Sequence, residues 1–205
     1  AGMRYVIITA KHHDGFAMWP SQASKFNIRD VGHFQRDPLD ELVKAARKEG
    51  IRVGFYYSHA FDWEYPDAPG NDWDYNNPGG DKLLGGRDWW LKNPGFLKNT
   101  QRYIERKAIP QQQELVQRYH HDILWLETPH KLPLFQQIEI MKAVRAADPN
   151  VVINGRAASN ATTNLGDYRN TGDRPAEVRP TEGDWEAIPT TNESYGYSSL
   201  DHSHT

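Results

Sequence analysis

Glu127 ends the apolar run Ile123-Leu124-Trp125-Leu126, and a carboxylate at the close of a hydrophobic strand is unfavourable unless it is paired or put to use. One use is displacement at an acetal carbon. There one carboxylate attacks to form a covalent ester, and a second carboxyl group protonates the leaving oxygen. Candidates for the second role are Asp167, Asp173, Glu177, Glu182 and Glu186, all in the loop-rich C-terminal stretch. In a retaining arrangement the two groups stand ~5–5.5 Å apart, so they must come from different strands or loops that face one mouth. The plainer reading of Glu127 is an ion pair with Arg156 on the neighbouring strand. That pairing is compatible with catalysis, because a nearby cation keeps a nucleophilic carboxylate ionised.

The second candidate cluster is His12-His13-Asp14. Imidazole and carboxylate are common metal ligands, but successive strand residues point to opposite faces, so adjacent histidines rarely share one ion. Where a strand gives way to a loop, both imidazoles can reach one polar ligand. In the alternative, one histidine packs in the wall and Asp14 caps the turn at Gly15. A His-ligated metal hydrolase would require stoichiometric metal and chelator-sensitive activity. Nucleophilic serine or cysteine chemistry lacks support, since there is no Gly-x-Ser-x-Gly elbow and no cysteine.

These residues need a scaffold, and the sequence alternates short apolar strands with amphipathic helices. Tyr5–Ala10 is a continuous, largely β-branched run, the pattern of a strand buried on both faces. Pro38–Lys48 predicts a helix with Leu39, Leu42, Val43 and Ala46 on one face, Asp37 as its cap and Gly50 as its stop. Ile51–Tyr57 is the next strand. Residues 58–95 are rich in Gly, Pro, Asn, Asp and Trp, and loops of that length inside compact domains are usually functional. Helical sequence follows from about Phe96 to Tyr119, interrupted or restarted at Pro110. Then come the strand Asp122–Glu127, a helix over about Leu134–Ala147 and the strand Val151–Asn154.

Strands with helical crossovers predict a parallel sheet covered by helices. On pattern alone a doubly wound sheet and a (β/α)8 barrel both remain open. Two observations favour the barrel. No glycine-rich phosphate loop follows any strand. Polar residues also gather at the C-terminal strand ends: Lys11-His12-His13, Tyr56-Tyr57-Ser58-His59, Glu127 and Asn154-Gly155-Arg156. In a barrel those ends converge on one active-site mouth. The expected class is therefore α/β, a TIM-barrel-like fold incomplete at both ends, since 205 residues fall short of the typical ~250.

Composition narrows the ligand. The formal net charge of −3 carries no broad electrostatic footprint for nucleic acid. No apolar run approaches the ~18 residues of a membrane span. Without cysteine, disulfides and thiolate metal sites are excluded. Seven Trp, ten Tyr and seven Phe in a polar chain suit either a large aromatic core or a wet cleft lined by rings. Sugars fit such a cleft, offering apolar C–H faces and hydroxyl edges. The chain opens at Ala1-Gly2-Met3 almost directly on a strand, and with a processed leader the expected location is periplasmic or secreted.

The run YVIITAKHHDGFAMWP, residues 5–20, resembles the strand-and-loop signature of the α-L-fucosidases of glycoside hydrolase family 29. The resemblance continues through Arg36-Asp37, LVKAARKEG, VGFYYS, ILWLET, INGR and the WE…SYGY ending, and is weakest over residues 62–95. It implies a (β/α)8-like barrel followed by a β-sandwich, and retaining removal of terminal α-L-fucose from a fucosylated oligosaccharide or glycoconjugate, with no cofactor. His12 and His13 match histidines that bind fucose hydroxyls. Trp19, Tyr56 and Trp125 match site aromatics, Arg156 an arginine beside the nucleophile, and Trp185 and Tyr195 pocket residues around the fucose methyl. Glu127 falls where the family has the Asp nucleophile, in a pattern such as Ile-Trp-Phe-Asp. One extra methylene displaces the carboxylate, and misplacement by ~1 Å can cost ~10²-fold in rate. A catalytically impaired fucose-binding protein is therefore the alternative. Glu177, in its Pro-Ala-Glu context, is the expected acid/base, with Asp173 second. The resemblance also places residues 1–205 in a single catalytic portion, without the family's first strand and its β-sandwich. Open barrel edges would then favour association into a homo-oligomer.

Overall fold

The computed structural model describes residues 2–69, 94–160, 162–190, 195 and 199. Part of the long loop (70–93) and, near the C-terminus, Gly196 and Tyr197 lie outside the described residues. The element order is β1 (Tyr5–Lys11), α1 (Pro38–Lys48), β2 (Arg52–Ser58), α2 (Pro94–Tyr103), α3 (Ile109–Tyr119), β3 (Ile123–Glu127), α4 (Leu134–Ala147), β4 (Val152–Ile153), β5 (Arg169–Asp173) and β6 (Trp185–Ile188).

Strands β1 to β4 form a parallel sheet in sequence order, and β5 and β6 form a parallel pair. A parallel bridge from Asn154 to Tyr168 connects the two. At that junction the Asn154 side chain takes over the ladder to β3: its Oδ1 accepts from the Leu126 N–H at 2.7 Å and its Nδ2 donates to the Leu126 carbonyl at 2.9 Å. The array curls, because Glu186 on β6 accepts from Trp125 on β3 (2.6 Å) and from Tyr5 on β1 (3.1 Å).

The pleat sorts side chains to two faces. Val53, Phe55 and Tyr57 of β2 and Leu124 and Leu126 of β3 pack in one core with Leu39 and Val43 of α1, Leu115 and Val116 of α3 and Val144 of α4. Gly54, Tyr56 and Ser58, alternating with them, face the other way, as do Ile123, Trp125 and Glu127. Strand β1 departs from the expectation of burial on both faces. It lies at the end of the four-stranded order, and Tyr5 and Ile8 are exposed. Its register with β2 shifts between Thr9 and Lys11, so that Lys11 pairs with Tyr57. This irregularity turns Lys11 into the buried layer, with its Nζ 4.7 Å from the Tyr57 ring centre.

Helix α1 forms as its cap predicts: Asp37 accepts from the Asp40 N–H and Pro38 opens the first turn. The expected interruption or restart at Pro110 takes the form of a restart, with α3 opening at Ile109 and Pro110 in its first turn. A π-helical turn, Ile104–Ala108, joins α2 to α3, and the Ile109 N–H bonds back to the Ile104 carbonyl. The wider turn relieves the clash that proline makes with the preceding helical turn.

Gly54 is where β1, β2 and β3 come closest. A Cβ there would lie 2.9 Å from Ile123 Cβ and 3.0 Å from Ile7 Cγ1. We expect Gly54→Ala to lower stability by about 1–3 kcal/mol through overpacking, measured as a drop in the urea midpoint at unchanged m-value.

Candidate functional site

The inward residues of β2 and β3 meet the loop that follows β1, the last residues of β5 and β6, and Tyr195 in a cavity of about 340 Å³, at the lower end of the range for small-molecule sites. His12, His13, Tyr56, Trp125, Glu127, Thr128, Asp173, Ile188 and Tyr195 line it. Register explains much of the set: Tyr56 pairs with Trp125 and Ser58 with Glu127, so consecutive strands deliver aromatic and polar groups at one level.

The wall is a stack of rings. His12 lies parallel to Tyr56 with centroids 5.3 Å apart, and Tyr56 stacks on Trp125 at 5.3 Å. The Arg156 guanidinium caps the stack, 5.2 Å from the Trp125 ring centre. His12 and His13 come after the last residue of β1, and this release from the pleat brings their rings to 4.1 Å on one cavity. The Gly15 N–H donates to the His12 carbonyl, and the Phe16 N–H to Asp14 Oδ1, a weak Asx-type closure of the turn.

Arg156 organises the charges. Its Nη1 donates to both Glu127 oxygens at 2.8 Å, and its Nη2 donates to Asp173 Oδ1 at 2.6 Å and to the Thr171 carbonyl at 2.9 Å. The Thr128 N–H adds a 3.0 Å bond to Glu127 Oε1. Burial pushes the Glu127 carboxyl above its ordinary range, against the opposing pull of Arg156. Burial also lowers the imidazoles. His13 falls to about 3, with the charges of His12 and Lys11 contributing, and His12 shifts the same way. Both are therefore neutral near pH 7, each with one donor and one acceptor nitrogen.

The sequence-predicted residues divide cleanly. His12, His13, Tyr56, Trp125, Glu127 and Tyr195 share the cavity, and Arg156 braces it. Trp19 does not: it is fully buried in the helix-facing core and its Nε1 donates to Glu114 at 2.9 Å. Trp185 is half-buried on β6, next to the inward Glu186, and is not among the cavity residues. Glu177 is exposed and pairs with Arg179 at 2.7 Å, away from Glu127. Asp167 accepts from the Ile153 N–H and pairs with Arg145, and Glu182 is exposed. Glu186 accepts from Trp125, Tyr168, Asn170 and Tyr5, which makes it a brace for the ring wall. Thr128 and Ile188 also line the cavity, and the sequence reading missed both. Thr128 could have been found from its place one residue after a strand-end carboxylate. Among the described residues no cluster of three or more His, Cys, Asp or Glu is placed to hold a metal ion.

Neutral imidazoles, stacked rings and two carboxylates on one arginine thus gather at the C-terminal ends of parallel strands on an α/β scaffold. Residues 1–205 match the family model described as Alpha-L-fucosidase, and the chain belongs to that family. Tissue alpha-L-fucosidase of Rattus norvegicus is 31% identical over 204 residues, covering 96% of this chain and 39% of that protein. Among solved structures, alpha-L-fucosidase AlfC from Lactobacillus casei in complex with alpha-L-fucose product is similar with TM-score 0.71 and 30% identity, over 99% of this chain and 61% of that one. The alpha-L-fucosidase of Vibrio sp. strain EJY3 is similar with TM-score 0.74 and 32% identity, over 100% of this chain and 34% of that one. The chain thus spans about two fifths of the length of the rat relative.

The buried imidazoles make stability pH-dependent. His13, at about 3, and His121, at about 4, both fall below the ordinary histidine value of 6.5, chiefly through burial. The unfolded chain then binds more protons in this range, so stability is full above about pH 6.5 and is lost as pH falls towards 3–4. Thermal melts between pH 7.5 and 4 should show a falling Tm, and His13→Gln or His121→Gln should each flatten the slope.

Proposed function

We propose that this chain carries the sugar-binding and catalytic face of a retaining α-L-fucosidase acting on terminal α-L-fucose of a fucosylated oligosaccharide or glycoconjugate. The observation that carries the reading is the Glu127–Arg156–Asp173 array on the wall of the His12/His13 cavity. Two carboxylates held by one guanidinium accord with the ~5–5.5 Å spacing of retaining pairs. Glu127 would attack C1. Asp173, in preference to Glu177, would protonate the leaving oxygen and then activate water for the second step. The neutral histidines would bind ring hydroxyls, and Ile188 with the aromatic rings would receive the C6 methyl. Family membership and the fucose-bound relative support the substrate.

On this reading residues 1–205 form one portion of a (β/α)8-type catalytic domain. Among the described residues, the parallel sheet β1–β4 and the parallel pair β5–β6, the curl that brings Tyr5 to Glu186, and the likeness to fucosidase structures support that fold. No metal or organic cofactor is required by the chemistry. One observation favours the impaired fucose-binding alternative: both Glu127 oxygens are engaged by Arg156, and Oε1 also by the Thr128 N–H.

Hydrolysis of an aryl α-L-fucoside separates these readings. Glu127→Gln should abolish turnover while fucose still binds. Asp173→Asn should reduce kcat by about 10²–10⁴-fold, whereas Glu177→Gln should leave it unchanged. Loss of activity in Glu177→Gln with a silent Asp173→Asn would reverse the assignment. Binding without turnover in both wild type and Glu127→Asp would leave only the fucose-binding role.

Arg156 opposes the upward push of burial on Glu127. Arg156→Met should therefore move the acid limb of the kcat/KM profile to higher pH, because a nucleophile with a raised pKa stays protonated over more of the acid range.

A further inference from the structure

Behind the His12-His13 turn lies a charged cluster that the proposed chemistry does not use. Lys11, Asp62 and Lys107 are almost wholly inaccessible to solvent. Asp62 Oδ2 lies 3.0 Å from Lys11 Nζ and 2.9 Å from Lys107 Nζ. Lys107 also pairs with Glu64 at 2.6 Å. Buried ions are weak stabilisers compared with apolar side chains of similar volume, so this cluster points to a role other than holding the core.

Hydrogen bonds link the cluster to the site. Lys11 Nζ donates to the carbonyls of Ser58 (2.7 Å) and Phe61 (3.0 Å). The Ser58 hydroxyl donates to that same Phe61 carbonyl at 3.1 Å and lies 2.6 Å from His13 Nδ1. A hydroxyl has one proton. With that proton directed to Phe61, the Ser58–His13 contact requires the hydrogen to sit on His13 Nδ1, which leaves the lone pair on Nε2. On the other side, Lys107 Nζ reaches the Gly15 carbonyl at 3.4 Å. Gly15 has φ +85°, and a Cβ there would stand 2.3 Å from Asp62 Oδ1, so the turn and the carboxylate are fitted to each other. The Trp63 N–H donates to the His13 carbonyl at 2.8 Å and closes the frame.

We propose that the Lys11–Asp62–Lys107 triad, acting through Ser58, is a positioning device that fixes His13 as the Nδ1–H tautomer and so makes Nε2 the acceptor for a sugar hydroxyl. The burial and nearby charge that keep the His13 ring neutral are consistent with this role. The choice of fucose as ligand rests on the function proposed above; the tautomer does not.

Two measurements on wild type, Asp62→Asn and Ser58→Ala test it, with circular dichroism to confirm folding. Long-range ¹H–¹⁵N spectra of histidine-labelled protein at neutral pH should show His13 protonated at Nδ1 in wild type, and that preference should weaken in both variants. Fucose titration should show about tenfold weaker binding in each, the loss of roughly one hydrogen bond's worth of free energy. Asp62→Asn in a His13→Ala background should add little, because the two changes act on one contact. An Nε2–H tautomer in wild type overturns the proposal. So does a folded Asp62→Asn protein with unchanged His13 resonances and unchanged affinity, or one whose effect adds fully to that of His13→Ala. If wild type shows the Nδ1–H tautomer but binds no fucose, the tautomer assignment stands, and both the fucose reading and the sugar-acceptor role fail.

Discussion

Parallel pairing in register is the constraint on which the rest of the molecule depends. Strands β2 and β3 give alternate residues to the helix-covered core and to the cavity, so a shift of one residue would exchange Phe55 for Tyr56 and Leu124 for Trp125. The apolar residues beneath the helices therefore fix which rings and which carboxylate face the cavity. Because successive parallel strands also end at the same side of the sheet, groups distant in sequence arrive at one mouth.

Where the pleat stops, the site gains freedom. The shift in β1 after Thr9 sends Lys11 into the buried layer, and the loop beyond it swings His12 and His13 together. Arg156 likewise lies past the short β4, free to span Glu127 and Asp173. The strand interiors thus supply a rigid wall, and the residues just beyond their ends supply the polar groups.

The elements and the helix-facing core were legible because their signals are local. Alternation, an aspartate cap with Pro38, and stop signals at Gly50 all depend on neighbours in sequence. Glu127 and Arg156 were legible as a pair because adjacent strands must bring their ends together. The choice among the later carboxylates was not, since it depends on the course of an irregular backbone after β4. There the Asn154–Tyr168 bridge and the β5 register place Asp173 beside Arg156 and leave Glu177 on the surface. Trp19 misled for a related reason. An indole after a binding motif reads as a site aromatic, but the hydrogen bond to Glu114 on α3 draws it into the core. The restart at Pro110 was legible from the proline itself, whereas sequence periodicity does not reveal the π-helical turn before it.

The Asn154 side chain has a chemical consequence of its own. Its amide serves as a surrogate strand residue, giving one donor and one acceptor to Leu126 while its backbone departs towards Tyr168. An aspartate keeps the shape but sets a second acceptor against the Leu126 carbonyl, and a leucine offers neither group. The residue is followed by Gly155, and an Asn-Gly pair is the sequence most open to slow loss of the amide nitrogen through cyclisation onto the next backbone nitrogen. Here the Gly155 N–H is held by Asn170 Oδ1 at 3.0 Å, and the Asn154 amide is held across the strand gap. The same bonds that let β4 diverge therefore also hold in place, at the joint that carries Arg156, the two groups such a cyclisation would have to bring together.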